Sequence, residues 1–232
     1  MPMIEVATLK GGGAFGAYLA EPEGTPRGAI IVIQEIFGVN PGIRAKCDHW
    51  ASLDYLALAP DLFWRLEPDV VLDPDLPEDF KVALGLMQRL DQDQSVADIE
   101  ATIHEARRRL PAGGKVGAVG YCLGGRLAFM TAARTDVSAT VGYYGVGLEG
   151  LMGEKHAIAH PLMLHVAGAD HFVTPDKQEL IHTGLDDHPK VTLHDYPGED
   201  HGFAAAMGDR RSEEAANLAD ARTEAFFAEH LG

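Results

Sequence analysis

Short apolar runs alternate with longer amphipathic stretches along the 232-residue chain, as they do where strands and helices take turns in an α/β sheet. Ala29–Gln34 is almost continuously apolar, which suits a strand covered on both faces. The pattern also predicts strands over Met3–Leu9, Ala14–Ala20, Tyr55–Ala59, Lys115–Tyr121, Ala139–Tyr144, Pro161–Ala167 and Val191–Tyr196. Helical spacing predicts helices over Ile43–Leu53, Pro77–Leu90, Gln94–Leu110, Gly124–Arg134, Lys177–Asp187 and Ser212–Leu231. Pro111-Ala112-Gly113-Gly114 stops the third of them. Residues 61–76, rich in Pro and Asp, read as a long surface excursion. No later stretch looks like a linker, so a single domain over 1–232 is expected.

Composition narrows the function classes. A hydrophobic share of 46% with 23% charged residues suits a soluble globular protein. The net charge of −16 would repel phosphates, which argues against nucleic-acid or anionic-membrane partners. The longest apolar runs, such as AIIVI at 29–33, fall far short of the roughly 20 residues a membrane span needs. The start, MPMIEVATLKGGG, lacks a basic region followed by an apolar core, so no signal peptide is expected. Cys47 and Cys122 make no disulfide framework, which points to a reducing cytoplasm.

Chemistry concentrates at Val119-Gly120-Tyr121-Cys122-Leu123-Gly124-Gly125, where a predicted strand meets a predicted helix. This is the Gly-x-nucleophile-x-Gly form of a nucleophile elbow, with Cys in the place of Ser. A sharp strand-to-helix turn strains the nucleophile's backbone, and the glycines remove side chains that would collide there. The helix N-terminus then favours thiolate. In α/β-hydrolases the acid and then the His follow the nucleophile along the chain. Asp170, in Gly168-Ala169-Asp170-His171-Phe172-Val173, and His201, in Gly198-Glu199-Asp200-His201-Gly202-Phe203, both sit just past predicted strands. Taken singly, Asp170 could be a turn residue and His201 a surface histidine. Three residues in the right order and context make a Cys-His-Asp triad the expectation.

These motifs resemble the dienelactone hydrolase family, the carboxymethylenebutenolidase-type enzymes. The resemblance extends to Gln34-Glu35-Ile36-Phe37-Gly38-Val39-Asn40 and Val141-Gly142-Tyr143-Tyr144-Gly145-Val146-Gly147, and so spans about residues 30 to 204. It implies an α/β-hydrolase fold, with a mostly parallel central sheet flanked by helices on both faces. It further implies that Glu35 holds the Cys122 thiol at rest and takes its proton when substrate arrives. Backbone N–H groups of Leu123 and Ile36 would form the oxyanion hole. Phe37, Tyr121, Tyr144, Phe172 and Phe203 flank the motif loops and are expected to line the pocket. The substrate would be a small lactone or ester, hydrolysed through a thioester acyl-enzyme by a monomer with no cofactor. A broader carboxylesterase or thioesterase is the alternative, with a redox-sensing or binding protein on a hydrolase scaffold behind it.

The sequence departs from the family at two places. Family members anchor a substrate carboxylate with two arginines, and the matching positions here are Ala205 and the arginine-free stretch Glu78–Phe80. Lys81, Arg65, Arg126, Arg210 and Arg211 are the substitutes to consider, Arg126 reading as a structural or surface residue. On sequence alone, little dependence on a substrate carboxylate is expected.

Other signals carry less. Gly11-Gly12-Gly13-Ala14-Phe15-Gly16 matches G-x-G-x-x-G, but Ala17–Ala20 runs into Glu21-Pro22 rather than a helix, so a hairpin or bulge is expected. His156 and His160 have i, i+4 spacing among other histidines (His165, His171), yet Pro161 ends that segment and no metal site is expected. Cys47 reads as a helix core position.

Overall fold

The computed structural model describes residues 3–232. Eight strands join one sheet: β1 (Met3–Ala7), β2 (Ala14–Ala20), β3 (Gly28–Ile33), β4 (Tyr55–Pro60), β5 (Val116–Tyr121), β6 (Ala139–Tyr143), β7 (Leu162–Ala167) and β8 (Val191–Tyr196). Their spatial order is β1-β2-β4-β3-β5-β6-β7-β8, antiparallel at β1/β2 and β2/β4 and parallel throughout the rest. Every residue of β3, β4, β5, β6 and β7 is buried, whereas the edge strands β1 and β8 remain partly exposed. Continuous apolar runs therefore mark the centre of the sheet. The glycine-rich opening closes the β1–β2 hairpin, with Gly12 N–H donating to Thr8 Oγ1 at 2.9 Å.

Six α-helices occur among the described residues, α1 (Pro41–Ser52), α2 (Pro77–Arg89), α3 (Gln92–Arg109), α4 (Leu123–Arg134), α5 (Pro175–Leu185) and α6 (Glu213–Leu231), and all but α2 pack on the sheet. α1 and α6 are joined on one side by Lys46–Asp220 and His49–Glu224 pairs. α3 packs on α4, and the 3-10 helix that follows β6 packs on both α4 and α5. α1, α3 and α5 each begin two residues earlier than the apolar spacing suggests, and in α1 and α3 a polar cap sets the boundary. Asn40 Oδ1 accepts from Ile43 N–H at 3.1 Å ahead of Pro41, and Asp91 accepts from Asp93 and Gln94 N–H at 3.0 Å each. A 3-10 helix over Leu148–Ala157, for which the spacing gives no signal, links β6 to β7. It contains His156 but not His160, so those two histidines do not share a helix face. Residues 61–76 form an irregular excursion, pinned to the chain after β3 by a bridge between Gly38 and Val71. Among the described residues, no helix is long and apolar enough to cross a membrane.

Candidate active site

Cys122 sits between β5 and α4 with φ 57° and ψ −116°, a conformation that L-residues avoid. The turn is tight enough to exclude side chains at its flanks. A Cβ on Gly120 would lie 1.9 Å from Gly124 O, and one on Gly124 would lie 2.4 Å from Ile33 O. Two backbone bonds hold the elbow: Cys122 N–H donates to Tyr143 O at 3.1 Å, and Arg126 N–H donates to Cys122 O at 3.2 Å. Leu123, the first residue of α4, belongs to the opening turn whose amides have no intrahelical acceptor.

Asp170 follows β7 and His201 follows β8, both at the C-terminal edge of the sheet and both buried. His201 Nδ1–H donates to Asp170 Oδ2 at 2.8 Å. Asp170 Oδ1 accepts from Phe172 N–H at 2.8 Å and Val173 N–H at 3.3 Å, so the carboxylate is fixed at both oxygens. His201 Nε2 is buried with no hydrogen-bond partner in the protein. Burial pulls the His201 pKa down, but the neighbouring Cys122 sulfur and the Asp170 carboxylate outweigh it and hold it up at about 10. An imidazole so placed is held in its charged form, and it becomes a stronger acid when negative charge beside it is lost.

Cys122 and His201 open into a cavity of about 220 Å³. Its walls are mainly apolar: Ile36 and Phe37 after β3, Phe80, Leu84 and Met87 on α2, and Phe172. Two cations, Lys177 and Arg210, also line it. Cys47, by contrast, is fully buried in α1, and burial pushes its thiol pKa up. Both cysteines are free. One ligand atom each from Asp170, His171 and Asp200 lies within 4.8 Å of the others. Asp170 is already committed to His201 and two amides, so this trio offers a metal no free carboxylate from that residue.

The model of the dienelactone hydrolase family matches residues 15–231. The chain belongs to the dienelactone hydrolase family. A relative from Azospirillum brasilense, "Putative carboxymethylenebutenolidase", is 46% identical over 222 residues, covering 95% of each chain. The "Carboxymethylenebutenolidase" of Pseudomonas putida is 40% identical, covering 94% of this chain and 92% of its own. Among solved structures, "Putative Dienelactone Hydrolase" from Klebsiella pneumoniae superposes with a TM-score of 0.83 at 28% identity, over 99% of this chain and 100% of its own. The eight-stranded sheet is thus the α/β-hydrolase fold, and the protein is a hydrolase.

Within this member of the dienelactone hydrolase family, the residues singled out from the sequence fall into two groups. Phe37 and Phe172 line the cavity beside Cys122, His201 and Ile36. Tyr121 and Tyr144 line a second, smaller cavity together with Glu35, and Phe203 is buried against Tyr144 and Tyr196. Glu35 Oε2 accepts from Arg210 Nη2 at 3.4 Å, and among the described residues no hydrogen bond joins Glu35 to Cys122. Four of the five cations considered as carboxylate anchors are placed elsewhere. Arg65 pairs with Asp98, and Arg126 holds Gln92 and the Gly147 carbonyl. Arg211 reaches Glu213 and Asp220, and Lys81 is exposed on α2. Only Arg210 of the five lines the cavity that holds Cys122. Sequence reasoning had no signal to prefer it, because the loop that carries it lies between His201 and α6 and has no regular pattern. The α2 wall was equally silent: Phe80, Leu84 and Met87 have helical spacing, but spacing does not say what a helix faces.

Proposed function

We propose that the protein hydrolyses a small lactone or ester bearing a carboxylate, through a thioester on Cys122. The reading rests above all on one observation: a backbone-strained cysteine shares a cavity with a histidine whose far nitrogen is held by a buried carboxylate. Glu35 takes the thiol proton, and Cys122 Sγ attacks the substrate carbonyl carbon. The N–H groups of Leu123 and Ile36 receive the developing oxyanion. The C–O bond to the leaving oxygen breaks, and the His201 imidazolium protonates that oxygen. Acylation removes the sulfur's charge, so burial now lowers the His201 pKa and leaves a neutral base. That base takes a proton from water as the water attacks the thioester. The C–S bond breaks, and the sulfur regains its proton from Glu35.

Arg210 gives the substrate class. It is paired with Glu35 and faces the cavity, and a substrate carboxylate competing for it would free Glu35 to act on the thiol. This replaces the expectation of weak carboxylate dependence drawn from Ala205. The apolar remainder of the cavity favours a second reading, a broader carboxylesterase, which a panel of neutral esters would reveal.

The test is turnover of a lactone panel and p-nitrophenyl acetate by Cys122→Ala and Cys47→Ala. Cys122→Ala is expected to lose at least about a thousandfold in kcat, with no trapped acyl adduct. Cys47→Ala is expected to stay near wild type. Equal loss in the two variants would refute the assignment.

A further inference from the structure

Behind the elbow lies a cavity of about 10 Å³ that shares no lining residue with the substrate cavity. Glu35, Lys46, Tyr121, Tyr144 and Ala205 contribute to its wall. Two of them present polar atoms with no hydrogen-bond partner in the protein, Glu35 Oε1 and Tyr144 Oη. Both residues are more than nine-tenths buried, with Glu35 7% and Tyr144 2% exposed. A buried acceptor and a buried hydroxyl left unpaired in one small cavity is a costly arrangement, and native proteins avoid it. The volume is that of about one water molecule, and a buried water needs two to four polar partners. Glu35, Tyr144 and Lys46 supply three.

The backbone at Tyr144 adds an independent observation. Among the described residues, four that are not glycine have positive φ, and two of them are aspartates, which tolerate it. The other two are Cys122 and Tyr144, at φ 57° and 37°. A bulky residue held there signals that its side chain has a position to keep. Its ring packs edge-on against His201, 5.1 Å between centroids, and the residue lines this cavity rather than the substrate cavity.

We propose that Tyr144 is a positioning residue for Glu35, acting through one water held in this cavity by Glu35 Oε1, Tyr144 Oη and the Lys46 ammonium. The proposal rests on the reading of Glu35 as acceptor of the thiol proton. The water donates to Glu35 Oε1 while Arg210 donates to Oε2, so both carboxylate oxygens are hydrogen-bonded. Ala205 leaves the space, which a longer side chain at that position would fill. Lys46 and Ala206 also line the open groove between α1 and α6, on the side away from the substrate cavity. The charged and titratable groups that face Glu35 are Lys46 from α1, Tyr121 from β5, Tyr144 after β6 and Arg210 from the loop after β8, with Cys122 and His201 in the neighbouring substrate cavity.

The test is Tyr144→Phe, which keeps the ring packing and removes only the hydroxyl. Losing a donor to the charged form makes Glu35 easier to protonate. The acidic limb of kcat/KM should move up by about one pH unit, a loss of roughly tenfold on that limb with little change at the optimum. A high-resolution crystal structure of the wild type should show water density within hydrogen-bond reach of Glu35 Oε1 and Tyr144 Oη, lost or displaced in the variant. An unmoved acidic limb, or a wild-type cavity without that density, overturns the proposal. A Glu35→Gln enzyme of undiminished activity would instead overturn the proton-acceptor reading, and the water would still stand or fall on the density.

Discussion

Arg210→Gln separates the two tasks assigned to that guanidinium. Its side chain is 30% exposed, so an opposite charge about 4 Å away is worth about 4 kcal/mol at an effective dielectric constant near 20. The substrate carboxylate must shed water and displace Glu35, and roughly half of that attraction survives as net stabilisation. About 2 kcal/mol corresponds to roughly 30-fold in kcat/KM. The assay compares a carboxylated lactone with its neutral methyl ester, each in wild type and variant. The variant also frees Glu35 for the ester, which cannot displace the guanidinium itself, so any effect through Glu35 lowers the ratio in the same direction. The acid-to-ester ratio is therefore expected to fall about 30-fold in Arg210→Gln. Arg210→Lys should fall between, since it keeps the charge but loses the planar fork. A ratio unchanged within about twofold, with both rates falling together, would refute the anchor and leave Arg210 as a partner of Glu35 alone.

His201→Ala should cost about a thousandfold in kcat and Asp170→Asn less, about a hundredfold, because the first removes the proton carrier and the second its support. By NMR the wild-type imidazole should titrate near 10, well above 6.5. The charged ring then stabilises the fold fully below pH 6.5, and that contribution is lost as pH rises through about 10. Asp170→Asn should lower the titration point, and an unchanged one would remove Asp170 from the account. Gly120→Ala should destabilise the fold by more than about 3 kcal/mol in urea unfolding, since its Cβ would meet the Gly124 carbonyl at 1.9 Å. A loss below about 1 kcal/mol would contradict the elbow's packing.

The order of strands and helices was legible in the chain because burial on both faces writes itself as unbroken apolar runs, as in β3, and burial on one face as helical spacing. The elbow was legible too, since close backbone approach admits only glycine at positions 120 and 124 and that requirement is local. Asp170 and His201 could be named because each follows a strand, and parallel strands deliver their C-terminal ends to one edge. What the sequence could not specify were relations between side chains on separate elements. Nothing near Arg210 distinguishes it from Arg211, yet one faces the substrate cavity and the other the groove between α1 and α6. Tyr121 and Tyr144 flank the same motifs as Phe37 and Phe172 but point to the other cavity. The reason is physical: periodicity encodes which face of an element is buried, while the partner across the gap is set only when loops of no regular pattern close over the sheet edge.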